Sequence, residues 1–311
     1  MRRLFCLLAL LLTIYAHDTF AAALSLEPIA SVDIPIESSV LDDYQRFVGN
    51  RTIDQIQSFD GAGTRRDVVD MVLVQQALKL GGYPLQFNFI PSDSSARSTQ
   101  LFVRGEVLIS VDSIWGQTAK RLKSDVYISS AVIERGDYVA AIFTSPQNQK
   151  TKSIRQLSDF SGLTAVSSRA YAGDWRLLEQ LPLRELRDEY DWSSMAMLVS
   201  RGWVDFMLAP FPQHRPFGYR ASGIELVAVE GVKVLIDDSR HFVVSKKHPL
   251  AEPVFAALQQ GLALLRQQGI LTKAYQECGF FNPEISHWTI LQPATGITDR
   301  QLAPNKPPND K

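Results

Sequence analysis

The sequence predicts a two-lobed α/β protein, each lobe a mostly parallel sheet flanked by helices, and three observations carry that reading. A strand-helix alternation of the form β-α-β-α-β runs from Ile53 to Thr144, and a second run of the same form begins at Leu163 and ends at Ala209. Between them lies a polar segment without period, Ser145 to Lys152. Strands that alternate with helices pair in parallel and are covered on both faces, so two such runs predict two sheets and two cores.

In the first run Ile53 to Phe59 reads as a strand and Asp60-Gly61-Ala62-Gly63 as a turn. Thr64 to Leu80 reads as a helix, because Val69, Val72, Leu73, Ala77 and Leu80 fall on one face, Thr64 with Asp67 resembles a capping box, and Gly81-Gly82 stops it. Strand Leu85 to Ile90, helix Ala96 to Val103 and strands Val107 to Val111 and Tyr138 to Thr144 complete this half. The second half reads as strand Leu163 to Ser167, helix Gly173 to Leu181, strand Leu183 to Leu186, helix Ser193 to Arg201 and strand Val204 to Ala209. Strand His241 to Ser245 and two closing helices follow, the first with Val254, Leu258, Leu262 and Leu265 on one face and Gly269 at its end. Residues 24–50 carry no sustained period beyond a short helix at Val40 to Val48, and read as an extension wrapped on the first lobe. The expected division is therefore 51–146 with 238–281 for lobe 1, 147–237 for lobe 2 and 282–311 for a tail. Lobe movement is expected at two crossovers, near 144–152 and 230–238.

Met1, Arg2 and Arg3 precede an apolar run from Leu4 to Ile14, and Ala21, Ala22 and Ala23 offer a cleavage site, so residues 1–23 read as a secretory signal peptide. Eleven apolar residues are too few to cross about 30 Å of hydrocarbon. Loss of that segment removes Cys6 and leaves Cys278, which reads as a small buried apolar residue and excludes an internal disulfide. With 32 Lys and Arg against 33 Asp and Glu there is no general basic field for nucleic acid, and selectivity must come from a local pocket. His214, His241, His248 and His287 are scattered, so neither a metal nor a cofactor is expected. A single soluble chain, a monomer, is the expected state.

The layout resembles that of the type 2 periplasmic solute-binding proteins, of the family 3 group associated with uptake of amino acids and other small solutes. The resemblance lies in SFDGAGTRRDVVDMVLVQQALKLGG (58–82), VRGEVLISVDSIW (103–115), SIRQLSDFSGLTAVSS (153–168), SMAMLVSRGWVDFML (194–208) and FAALQQGLALLRQQGILTKAYQECG (255–279). It implies the periplasmic binding protein type II fold, a periplasmic location, and a small polar or anionic solute trapped between the lobes for an inner-membrane ABC-type permease or a sensor. It also implies an Arg after the third strand of lobe 1 and an Asp at the end of the strand 204–209. Arg121 stands near the first position, and Ala209-Pro210-Phe211 replaces the second, a departure from the ordinary α-amino acid clamp.

In open α/β sheets ligands gather at the carboxyl ends of the strands, which places the candidate ligand contacts. On lobe 1 these are Phe59 and Asp60 at a strand end, Arg65 and Arg66 in the first helical turn, and Trp115 as a stacking surface. Cations at a helix start oppose the macrodipole, so the two arginines imply either an anion in the cleft or pairing with Asp60 or Asp70. On lobe 2 Ser167, Ser168, Arg169 and Tyr171 lie between a strand and a helix, a combination suited to a carboxylate. No catalytic residue is assigned. A lyase or dehydratase on the same fold is the enzymatic alternative, and it requires a cleft acid, for which Asp60, Asp112 and Asp174 are available. The GAG at 61–63 is not a dinucleotide fingerprint, since Arg66 takes the place of the third glycine.

Overall fold

The computed structural model describes residues 29–92 and 95–293; the predicted signal peptide and the end of the tail lie outside them. The chain opens with β1 (Ser31–Glu37) and α1 (Ser38–Val48). In β1 Val32, Ile34 and Ile36 are buried while Ser31, Asp33 and Glu37 are exposed, a period-2 pattern that places one face on the core. Residues expected to wrap the first lobe therefore form part of its sheet. Residues 53–59, read as a strand, instead make one 3₁₀ turn (Ile53–Gln55) and an extended stretch. Their core contacts are Ile56 and Phe59, three apart, and the Gln76 amide donates to the carbonyls of Ile53 and Ile56 at 2.9 and 2.8 Å, in place of a neighbouring strand.

The next element, α2 (Arg66–Leu80), is buried on nearly every side. It starts at Arg66 because Thr64, expected to cap it, donates its hydroxyl to the Phe59 carbonyl at 2.6 Å. Then come β2 (Gln86–Ser92), paired in parallel with β1 from Ser31↔Gln86 to Glu37↔Ser92, α3 (Ser95–Arg104), β3 (Ile114–Trp115), α4 (Gly116–Arg121) and β4 (Val126–Ile128).

Lobe 2 is built on one sheet of eight strands. Its elements are β5 (Val139–Thr144), α5 (Gln149–Lys152), β6 (Thr164–Ser167), α6 (Ala172–Glu179), β7 (Glu185–Asp188), α7 (Trp192–Ser200), β8 (Phe206–Ala209), β9 (Gly218–Ala221), β10 (Ile224–Ala228) and β11 (Val232–Leu235). The strands β7, β6 and β8 are parallel, as the β-α-β-α-β rhythm predicts. Strand β5 runs antiparallel to β8 on one edge and to β10 and β11 on the other, so the sheet is mixed and β5 belongs to lobe 2. Asp191 caps α7 by accepting the Ser194 N–H at 2.7 Å. Asp191→Ala is expected to cost about 1 kcal/mol in urea unfolding, and Asp191→Asn almost nothing; equal losses would show that the charge, not the cap, matters.

The chain returns through β12 (Arg240–His241), which pairs with β3, and β13 (Val243–Ser245), which pairs with β4. Segment 107–111 joins the same layer, with Ser110 N–H donating to Val243 and Ser245 N–H to Leu108. Two helices close lobe 1, α8 (Ala251–Gln267) and α9 (Ile270–Glu277). A Cβ on Gly261 would meet the Ala77 carbonyl, and one on Gly81 the Ala257 carbonyl, so α8 and α2 touch backbone to backbone. Last, β14 (Thr289–Leu291) adds to the edge of β11 in lobe 2.

The lobes are joined where Ile236 N–H donates to Tyr138 and Arg240 N–H to Ile133, both at 2.9 Å. These crossing segments, 132–138 and 236–240, run side by side, and the first precedes the polar stretch that the sequence suggested. The chain crosses a third time after α9, held by Trp288 against Phe211 and Phe217 at ring distances of 5.3 and 5.7 Å.

Candidate functional site

Arg66, the first residue of α2, is in an unfavourable place for a cation, and two carboxylates compensate. Its Nη1 donates to Asp70 Oδ2 at 2.6 Å, one helical turn on, and to Asp112 Oδ1 at 2.7 Å. Asp70 is fully buried and collects the Ser113 N–H at 3.0 Å, the Ser113 hydroxyl at 2.6 Å and the Tyr275 hydroxyl at 2.5 Å. A buried charge persists only when its lone pairs are satisfied, and these donors satisfy them. Arg240, from the second crossing, donates through Nε to Ser113 Oγ at 3.0 Å and through Nη2 to the Ser113 carbonyl. Its guanidinium lies 4.5 Å from the Trp115 ring, whose plane is stacked within 14° of Tyr138 at 5.3 Å. Burial and the neighbouring Arg66 lower the pKa of Arg240.

Lobe 2 meets this cluster through α6. Gly173 makes the approach possible, since a Cβ there would lie 2.7 Å from Ile236 Cγ2 and 3.0 Å from Trp115 Cζ2. The next residue, Asp174, is 6% exposed, and its Oδ1 meets no hydrogen-bond donor among the described residues. Burial pushes its carboxyl up to about 7, against the pull of Arg240 and Arg66. The Tyr171 hydroxyl is raised by burial and further by the carboxylates of Glu37, Asp67, Asp174 and Asp112. Near the crossings a separate cavity of about 190 Å³ is lined by Gln117 of lobe 1, Arg176 and Gln180 of lobe 2, and Asp237 between them.

Of the predicted contacts, the structure brings Arg66, Trp115 and Tyr171 to this junction. Arg65 stands at its rim with 42% of its side chain exposed, paired with Asp67 at 3.0 Å and Asp43 at 3.3 Å. Both arginines thus have carboxylate partners within the protein, and Arg66 takes Asp70, the pairing its spacing allows. Phe59 lies in the core of lobe 1, its N–H donating to Glu277. Asp60 accepts from the Gln213 amide at 2.6 Å. Ser167 ends β6 and Ser168 follows it, both buried, and the Ser168 hydroxyl accepts the Ala170 N–H. Arg169 is turned outward, because Asp188 holds its N–H at 3.1 Å and its guanidinium at 3.2 Å, over the face of Trp175. Arg121 is exposed and donates to Thr118 Oγ1.

The sequence reading did not place Ser113, Tyr138 and Arg240 in the site, and it weighed Asp70 only as a partner for Arg66. Asp112 and Asp174 figured only as candidate acids. Among the described residues no group of His, Cys, Asp and Glu is arranged to hold a metal, and no helix is long and apolar enough to cross a membrane. Cys278 is buried, and burial pushes its thiol up to about 12, which leaves it a poor nucleophile.

No protein-family model matches the chain, and no curated protein does. Among solved structures it is similar to the probable amino-acid ABC transporter extracellular-binding protein YtmK of Bacillus subtilis, at 14% identity and a TM-score of 0.52, over 81% of this chain and 99% of that one. It is also similar to the periplasmic VFT2 domain of BvgS from Bordetella pertussis (13% identity, TM-score 0.51, 80% of this chain and 93% of that one). A third is the ancestral amino-acid-binding protein AncCDT-1, a precursor of cyclohexadienyl dehydratase (14% identity, TM-score 0.51, 80% and 96%). The chain has the two-lobed fold of the type 2, family 3 solute-binding proteins.

Proposed function

We propose that the protein is a secreted, periplasmic solute-binding protein that closes its lobes on a small polar solute and presents it to an ABC-type permease. The observation that carries this reading is the junction itself: ionisable and aromatic side chains from both lobes and from the crossing segments converge where the lobes meet. Two lobes joined by side-by-side crossing segments close by small backbone rotations in those segments, and a solute that bridges the lobes favours the closed form. A sensor subunit would use the same site and differ in its membrane partner. The enzymatic alternative draws on one feature, a buried Asp174 carboxyl near neutrality, the kind of group that serves as a general acid.

A thermal-shift screen of the protein against amino acids, amines, organic acids and short peptides tests the reading. A stabilising solute recovered unchanged supports binding, and a solute consumed supports the lyase. Gly173→Val supplies the structural check. The added side chain strikes Trp115 and Ile236, so the variant is expected to bind the same solute roughly tenfold more weakly or worse. It is also expected to lose the solute-induced decrease in radius of gyration seen by small-angle scattering. Undiminished compaction in the variant would remove the α6 contact from the closing mechanism.

A further inference from the structure

At the lobe junction one buried carboxyl stands without a hydrogen-bond donor to one of its oxygens among the described residues, while the guanidiniums near it are committed to other groups. Glu37 at the end of β1, Asp67 in the first turn of α2, Asp112 before β3 and Asp174 in α6 all act on the Tyr171 hydroxyl. The guanidiniums nearby are engaged. Arg65 holds Asp67 and Asp43, Arg66 holds Asp70 and Asp112, and Arg240 is fixed on Ser113, across the face of Trp115 and 3.5 Å from Asp112. What remains is Asp174, 6% exposed, with an oxygen that no donor reaches among the described residues. A carboxylate buried without a partner is costly, and such a group stays protonated until a counter-charge arrives.

We infer that the junction selects a cationic solute, whose ammonium or guanidinium group is received by Asp174 beside Tyr171 and Asp112. This rests on the solute-binding reading above and adds the sign of the charge. In a site shielded from water a carboxylate and an ammonium attract strongly, while an anion there would face the carboxylates with the local guanidiniums already engaged. The groups that face Asp174 and share its titration are Arg66 of α2, Arg240 of β12, and the Tyr138 and Tyr171 hydroxyls. Cation binding therefore expels the Asp174 proton.

The experiment compares amines and guanidines, neutral amides and carboxylates of matched length, with cadaverine, glutaramide and glutarate as the simplest set, by thermal shift on the full chain. The amines and guanidines are expected to stabilise the protein by several degrees, and the carboxylates not at all. For a stabilising amine, calorimetry at pH 6 in two buffers of different ionisation heat is expected to show proton release. Asp174→Asn, nearly isosteric, is expected to weaken the amine on the order of a hundredfold and to abolish the proton release. Stabilisation by carboxylates but not amines overturns the cation inference and leaves the solute-binding reading standing. Amine binding without proton release, or unchanged in Asp174→Asn, also overturns it. No stabilisation by any member overturns the cation inference, and the wider screen of amino acids and short peptides then decides the solute-binding reading by itself.

Discussion

Asp70→Ala is expected to lower the unfolding free energy by about 3–5 kcal/mol, a loss in melting temperature of roughly 10 °C. The carboxylate is the shared acceptor for a guanidinium, two hydroxyls and a backbone N–H, contributed by α2, the segment before β3, and α9. Truncation leaves the buried Tyr275 hydroxyl and the Ser113 N–H without their partner, and it withdraws one of the two short carboxylate contacts of Arg66. Asp70→Asn keeps the shape and one acceptor, and is expected to lose less. A urea midpoint for Asp70→Ala equal to that of the unaltered protein would show that the network does not hold α9 to α2. Because Ser113 also carries Arg240, the same substitution is expected to loosen the stack on Trp115, read as a change in tryptophan emission.

The second large effect is a pH dependence with an unusual direction. The Asp174 carboxyl is pushed up to about 7 in the fold from an ordinary value of 3.8, so the folded protein keeps a proton that the unfolded chain has already released. The stabilisation from that proton is fully present below about pH 4 and is lost as pH rises to about 7, a total of about 4 kcal/mol. Other carboxylates act in the opposite sense. Asp205, held by Thr164 and Asn148, and Glu277, held by the Phe59 N–H and Lys273, sit below the usual range, and their stabilisation is lost on acidification. The quantity to measure is therefore the stability of the unaltered protein minus that of Asp174→Asn, from pH 4 to 8. It is expected to fall steadily up to about pH 7 and then level off. A flat difference would place Asp174 in water.

The sequence shows what is periodic, and the structure adds what is distant. Helices α2 and α8 and the run from β6 to β8 were legible because apolar residues repeat at 3.6 or appear as short buried runs between turn residues. Strand β1 was also legible in principle, since SVDIPIE alternates, but Pro35 and the polar flanks hide it in a short window. The stretch 53–59 misled because Ile53, Ile56 and Phe59 mimic a strand in composition while burying at a spacing of three. At the site, the i, i+4 pair Arg66–Asp70 was readable, and so was Trp115 at a strand end. Arg240 was not, because its meaning comes from Ser113 and Trp115, which only the fold brings near. Arg169 lies in the loop between β6 and α6, and its outward turn is set by Asp188 on the neighbouring strand, a pairing across the sheet that no local pattern announces.

The third crossing makes lobe 2 a discontinuous unit. Its edge strand, β14, and the ring that fills the space between Phe211 and Phe217 come from beyond α9, so a fragment cut at 139–237 contains neither. Such a fragment would present an open strand edge and an unfilled aromatic socket, the conditions under which chains pair with copies of themselves. The protein avoids this by threading its last described strand back into a sheet otherwise drawn from the middle of the chain, so lobe 2 is not finished until synthesis has passed Leu291.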